Sequence, residues 1–299
     1  MALGYACMNR TLRGRDPPLR CNRTMREATF EERGLPYASE LALANLRDLR
    51  AILEWNVAND VDFYRCTSDL VPWHSRYDLV DLPDYDAVER VARECGDLVR
   101  EAGLRLTFHP DHFCKLASES ADTVERAVTD LENHGAWLDL MGLERSPYYA
   151  VNVHVGGHYG DKAATAERFR AGVERLSPAA RERLTVENDD RESLWSVPEL
   201  VGAVADPLGV PVTFDYHHHQ FADRGLTYRE AFERAATTWP CRPVAHFSDP
   251  ARLHALDGAE APGDAGACLL VHDAFVAVDD VLGRQGAAVM ERDAVAQVE

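Results

Sequence analysis

Lysine is nearly absent from this 299-residue chain: its 32 cationic residues include only Lys115 and Lys162, against 50 Asp and Glu, and the formal net charge is -18. A surplus of carboxylates with arginine carrying the positive charge is the composition of a protein kept soluble in concentrated salt. It argues against a generic nucleic-acid binder with a basic face, though not against a local basic groove. Long apolar runs are missing as well. No segment reaches the roughly 18 apolar residues of a membrane span, and the opening "MALGYACMNRTLRGRD" lacks a signal-peptide core, so a cytoplasmic protein is expected. The cysteines, Cys7, Cys21, Cys66, Cys95, Cys114, Cys241 and Cys268, are odd in number and never spaced C-x-x-C. Neither a zinc ribbon nor a disulfide framework is supported, and they read as small buried apolar side chains. Neither G-x-x-x-x-G-K-[ST] nor G-x-G-x-x-G occurs, so no nucleotide cofactor is expected.

What the chain does contain is an alternation of short apolar runs with longer helical segments from end to end. The runs "LGYAC", "DFYRC", "RLTFH", "YAVNVH", "RLTVE", "VPVTFD", "PVAHF" and "AAVM" read as strands. Between them, 41–56, 85–102, 121–140, 163–176, 196–206 and 227–236 carry period-3.6 apolar faces with charged outer faces. The glycines of "EAG" and "PLGVP" suit short helix-to-strand turns. This pattern predicts an α/β fold, a (β/α)8 TIM barrel, as one domain over 1–299. The stretch 249–266, rich in Ala, Gly, Asp and Pro, reads as a loop.

The strand ends carry the chemistry. His109 follows "RLTF", His154 follows "YAVNV", Glu187 ends "RLTVE", Asp215 ends "VPVTFD" and His246 lies in "PVAHF". In a TIM barrel the C-terminal strand ends converge on one face, so these residues would meet in one pocket. Behind Asp215 stand His217, His218 and His219. Adjacent side chains diverge, so not all three can ligate, and a D-x-x-H arrangement favours His218. Mixed imidazole and carboxylate ligands suit Mn²⁺, Zn²⁺ or Fe²⁺, and more than four of them imply more than one ion. Glu187 can bridge a pair of ions, an arrangement suited to hydrolytic phosphoryl displacement. The glycines of "VHVGGHYGDK" suit either backbone approach to a phosphate or a plain turn.

Taken in order, "LGYACMNRTL", "CNRTMR", "NLRDLRAILEWN", "FYRCTSDLVPW", "LTFHPDHF", "NVHVGGHYGDK", "LTVENDDRESLW", "VPVTFDYHHH" and "RPVAHFS" resemble the UV damage endonucleases, a TIM-barrel family related to the metal-dependent apurinic endonucleases. The resemblance implies an enzyme that incises damaged double-stranded DNA on the 5′ side of ultraviolet photoproducts. It would use metal-activated water and no ATP, with a cluster of two or three divalent ions, expected to be Mn²⁺, and act as a monomer. It assigns His109, His154, Glu187, Asp215, His218, His246, His272 and Glu299 as metal ligands, with catalytic roles for Glu187, His109 and Lys162. Tyr5, Asn9, His112, Phe113 and Arg76 would contact the DNA and its lesion. Four departures stand out. Arg76 occupies the place of a family histidine, for which His74 is the expected substitute ligand. His112 and Phe113 replace a Gln-Tyr pair, Val244 replaces a lysine, and "RDAVAQVE" lacks the lysines of the family's closing stretch. Two other readings share these features: a catalytically impaired lesion-binding protein, and a sugar isomerase or epimerase using a similar His, Glu and Asp site.

Overall fold

The computed structural model describes residues 2–111, 113–247 and 270–273. Strands β1 (Ala2–Ala6), β2 (Phe63–Cys66), β3 (Arg105–Phe108), β4 (Val151–Val153), β5 (Leu184–Glu187), β6 (Val212–Asp215) and β7 (Val244–Phe247) follow one another in parallel. A short strand, β8 (Leu270–Asp273), pairs antiparallel with both β7 and β1 and closes the barrel. The closing strand therefore differs from the expected one. It is formed by "LVHD" and runs against its neighbours, an arrangement that needs no crossover helix between partners. The expected strand "AAVM" lies outside the described residues, as do the expected loop 249–266 and the site residues His112 and Glu299.

Most helices fall where their apolar periodicity places them. Tyr85–Ala102 and Ala121–Leu140 match the expected ranges, the second capped by Ser120, whose hydroxyl accepts from the Thr123 amide. A third expected helix, 41–56, is the C-terminal part of Glu27–Ala58, whose backbone breaks at Gly34, where φ is 62°, just before Pro36. The preceding "EATFEERG" has no apolar stripe, so periodicity could not extend the helix backwards. Gly103 and Gly209 end their helices in the left-handed conformation, with φ of 65° and 67°, as the turn signals require.

Alternation along the strands sorts the side chains into two populations. Outward-facing Tyr64, Leu106, Phe108, Val151, Val153, Leu184, Val186, Val212, Phe214 and Ala245 belong to the main apolar core. Inward-facing residues stack in layers, as barrel interiors do. At the bottom, Phe63, Ala150, Trp239 and Val244 form a separate apolar cluster. Arg105 seals it, with its guanidinium 5.4 Å above the Trp239 ring and donating to the Tyr148, Arg242 and Pro147 carbonyls. One step up, Thr107, Asn152, Thr185 and Thr213 are buried and polar. The top layer carries the strand-end residues.

Candidate metal centre

Two residues above each member of the polar layer, the chain presents a ligand type: His109 above Thr107, His154 above Asn152, Glu187 above Thr185 and Asp215 above Thr213. Glu187 is the hub, only 2% exposed. Its Oε2 lies 3.3 Å from His109 Nε2 and 2.7 Å from His246 Nδ1, while its Oε1 lies 3.3 Å from His218 Nδ1 and 3.9 Å from His154 Nε2. Asp215 joins through Oδ1, 3.8 Å from His218 Nδ1. Two sets can each gather around one point: His109, His154 and Glu187; and Glu187, Asp215 and His218. The carboxylate of Glu187 is common to both.

The donor set fits divalent metal. His246 Nδ1 is buried and close to Glu187, yet off the line of a hydrogen bond, so two potential ligand atoms face each other without satisfying one another. A divalent cation held by Glu187 and its neighbouring imidazoles would resolve that conflict. The electrostatics agree. Burial opposes ionisation of Glu187, but His246, His109 and His154 outweigh it and hold the carboxyl well below its usual range. Burial and the neighbouring Glu187 push Asp215 up to about 7. Burial drives His246 down to about 4 against the pull of Glu187, and it lowers His109 too. Burial also acts against a charged His154, but its contact with Asp189 and the charges of Glu187, Asp189 and Asp215 raise it to about 9.

Behind the ligands lies a supporting shell that sequence reasoning missed. Asn152 donates to Glu187 Oε2, and Thr185 donates to Asn152 Oδ1 at 2.8 Å. Asp189 Oδ1 sits 3.0 Å from His154 Nδ1, an ion-pair distance without hydrogen-bond alignment, leaving Nε2 to face Glu187; a carboxylate behind a histidine favours the charged ring and biases its orientation. Asn188 clamps β5 to β6 by exchanging hydrogen bonds with the Asp215 backbone at 2.8 and 3.0 Å. The period of two was the signal available, because 152 and 154, 185 and 187, and 187 and 189 share a side of the chain.

The histidine triplet separates as adjacent side chains must. It forms a single helical turn, Tyr216–His219, started by Asp215, whose Oδ1 accepts from the His218 amide at 2.8 Å. His218 turns to the centre, His219 is buried with Nε2 3.0 Å from the Leu226 carbonyl, and His217 accepts from Gln220.

Several expected residues stand elsewhere. His74, the expected substitute ligand, is not among the clustered ligands: its Nδ1 accepts from the Trp137 indole at 2.8 Å, and its ring packs against Tyr77 and Trp137. A satisfied aromatic contact, rather than a cation, explains its burial. Arg76 is exposed and paired with Glu27 at 2.6 Å. Lys162 is paired with Glu199 at 2.6 Å and also donates to the Leu194 carbonyl. Tyr5 and Asn9 are buried as a polar pair, with Asn9 donating to the Tyr5 hydroxyl, which itself donates to Asn56. Phe113, in the loop after β3, is 70% exposed. His272 is described only by its strand register, opposite Leu3 and Ala245.

Comparison with known proteins supplies the context. Residues 1–261 match the family model described as UV-endonuclease UvdE. A UV-damage endonuclease of Neurospora crassa is 33% identical over 308 residues, covering 88% of this chain and 45% of that protein. A UV DNA damage endonuclease of Bacillus pumilus is 34% identical over 215 residues, covering 69% of this chain and 64% of that protein. The chain thus spans less than two thirds of the length of each. Among solved structures, one described as the crystal structure of SacUVDE superposes with a TM-score of 0.73 at 27% identity, covering 87% of this chain and 83% of that one.

Proposed function

From the premise that this chain belongs to the UvdE family of UV endonucleases, we propose that it is a metal-dependent endonuclease that incises duplex DNA on the 5′ side of ultraviolet photoproducts without ATP. One observation carries the reading: a single buried carboxylate, Glu187, turns one oxygen toward His109 and His246 and the other toward His154 and His218. Such a carboxylate suits two neighbouring cations. Bound divalent ions, Mn²⁺ in our reading, would supply water activation and stabilisation of the charge that develops on phosphoryl oxygens.

The chain's own contribution is preorganisation. Asn152 and the Thr185 hydroxyl behind it hold Glu187 at one rotation, and the Asp189 charge lies against His154, so the ligands need little rearrangement as the reaction proceeds. Loops that follow β1 to β4 rise around this face. The first carries exposed Arg13, Arg15, Arg20 and Arg26, which suit phosphate contacts, and the third offers Phe113, whose apolar ring suits insertion into a disturbed base stack. A photoproduct has already lost stacking and so costs less to extrude than an intact pair. The reading is tested with an end-labelled duplex carrying one cyclobutane pyrimidine dimer, incubated with Mn²⁺, Mg²⁺ or chelator. A nick 5′ to the dimer that requires the metal is expected. Binding to the lesion without any nick would replace this reading with that of a lesion-binding protein.

A further inference from the structure

Two interior arginines among the described residues are satisfied by backbone carbonyls and a carboxylate of the protein itself. Arg105 donates to three backbone carbonyls, and Arg183, buried outside the barrel, bonds the Asp139 carboxylate at 2.8 Å and the carbonyls of Gly135, Leu143 and Ala179. Arg65 on β2 differs. It pairs in register with Ala6 and Thr107. Two residues earlier, Phe63 lies in the interior cluster at the barrel bottom, so alternation turns Arg65 inward at the level of the polar layer, beside Thr107 and beneath His109. Its backbone carbonyl accepts from the Cys7 amide at 2.8 Å. Its Nε is buried without a hydrogen-bond partner, and its guanidinium forms no ion pair among the described residues, although the chain carries 50 acidic groups. Its side chain does meet the Cys7 thiol, but burial pushes that thiol up, so the contact brings no counter-charge. The side chain as a whole is only half-buried. That it reaches the centre is also visible in its neighbours: besides burial, the Arg65 charge works against protonation of both His109 and His246.

A half-buried cation left uncompensated beside a metal centre is costly unless a ligand answers it. We propose that Arg65 is a phosphate-binding residue of this centre, its guanidinium fork taking oxygens of the phosphodiester seated over the barrel mouth. The planar fork matches phosphate oxygens in pairs, which an ammonium cannot do. That the anion is a DNA phosphodiester rests on the endonuclease reading; that Arg65 binds a phosphoryl anion does not.

The test uses the full chain loaded with Mn²⁺, as wild type, Arg65→Gln and Arg65→Lys, after metal content and thermal unfolding have been matched. Arg65→Gln is expected to lower kcat/KM for dimer incision about 10- to 100-fold, the effect of one charged hydrogen-bonding group, with Arg65→Lys between it and wild type. Inorganic phosphate, followed by calorimetry and as an inhibitor, should bind both variants more weakly at unchanged metal content. Wild-type incision by Arg65→Gln, or a loss of incision with unchanged phosphate affinity, would overturn the assignment. If wild type cuts no lesion, the endonuclease reading fails, and the phosphate titration alone decides the role of Arg65. If Arg65→Gln does not fold, Arg65→Lys decides it by the same two readouts.

Discussion

At the scale of single residues, the same side-chain type serves two opposite purposes, and burial alone does not separate them. Glu187 is buried within 4 Å of four imidazoles, so replacing it with Gln removes the charge that they share. We expect Glu187→Gln to lower metal content and incision by at least about 100-fold, above the effect of losing an outer-shell partner, with unfolding still cooperative; metal binding at wild-type stoichiometry would refute its central role. His74 is also buried but complete in itself, accepting from Trp137. Burial, with a smaller contribution from His134, pushes it down to about 4. Because the folded value lies below the unfolded one near 6.5, the neutral ring's contribution is complete above pH 6.5 and is lost as pH falls toward 4. The loss amounts to about 3 kcal/mol over that window. His74→Phe should therefore unfold more easily than wild type at pH 8, by about 1 to 3 kcal/mol for the stranded indole N–H, and should lose less stability between pH 6.5 and 4.5. Its metal content should not change; loss of an equivalent of metal would make His74 a ligand after all.

At the scale of elements, the turn Tyr216–His219 shows how local geometry distributes three identical side chains among three tasks. His218→Ala should cut metal affinity sharply. His219→Ala should instead destabilise the fold by removing a ring packed against Phe214 and Tyr228, and His217→Ala should do neither; equal metal loss in all three variants would mean that the turn rearranges around the ions. Here the limits of sequence reading also become concrete. The strand ends, their shared face and the choice of His218 follow from periods of two and 3.6 and from the spacing D-x-x-H. The role of His74 does not, because its partner Trp137 is 63 residues away and only packing brings the two rings together. The closing strand was misread for a related reason: an apolar run signals a strand but not its direction or its neighbours. Asp189, Asn152 and Arg65 were legible in principle, since each follows from taking the inward alternation one step further along a strand already identified.

At the scale of the whole molecule, a net charge of -18 and the proposed DNA substrate pull in opposite directions, and salt separates them. Carboxylates spread over the surface repel one another, so raising KCl from 0.1 M toward 1 M shortens the screening length from about 10 to about 3 Å and should stabilise the fold. The same salt competes with phosphate contacts, so lesion affinity should fall over that range. Each contact removed should lower the slope of log K against log salt by about 0.9. Exchanging Arg13, Arg15, Arg20 and Arg26 for Ala should therefore flatten that slope if they line the duplex, without altering the salt dependence of unfolding, which belongs to the distributed acidic surface. The melting temperature is compared in KCl and in an osmotically matched neutral solute. A rise in both would assign the effect to exclusion of cosolute from the surface, whereas a rise in KCl alone follows from screening. No rise in either would mean that the acidic surplus is not an adaptation to salt, and the four arginines would then have to be judged by the DNA slope alone.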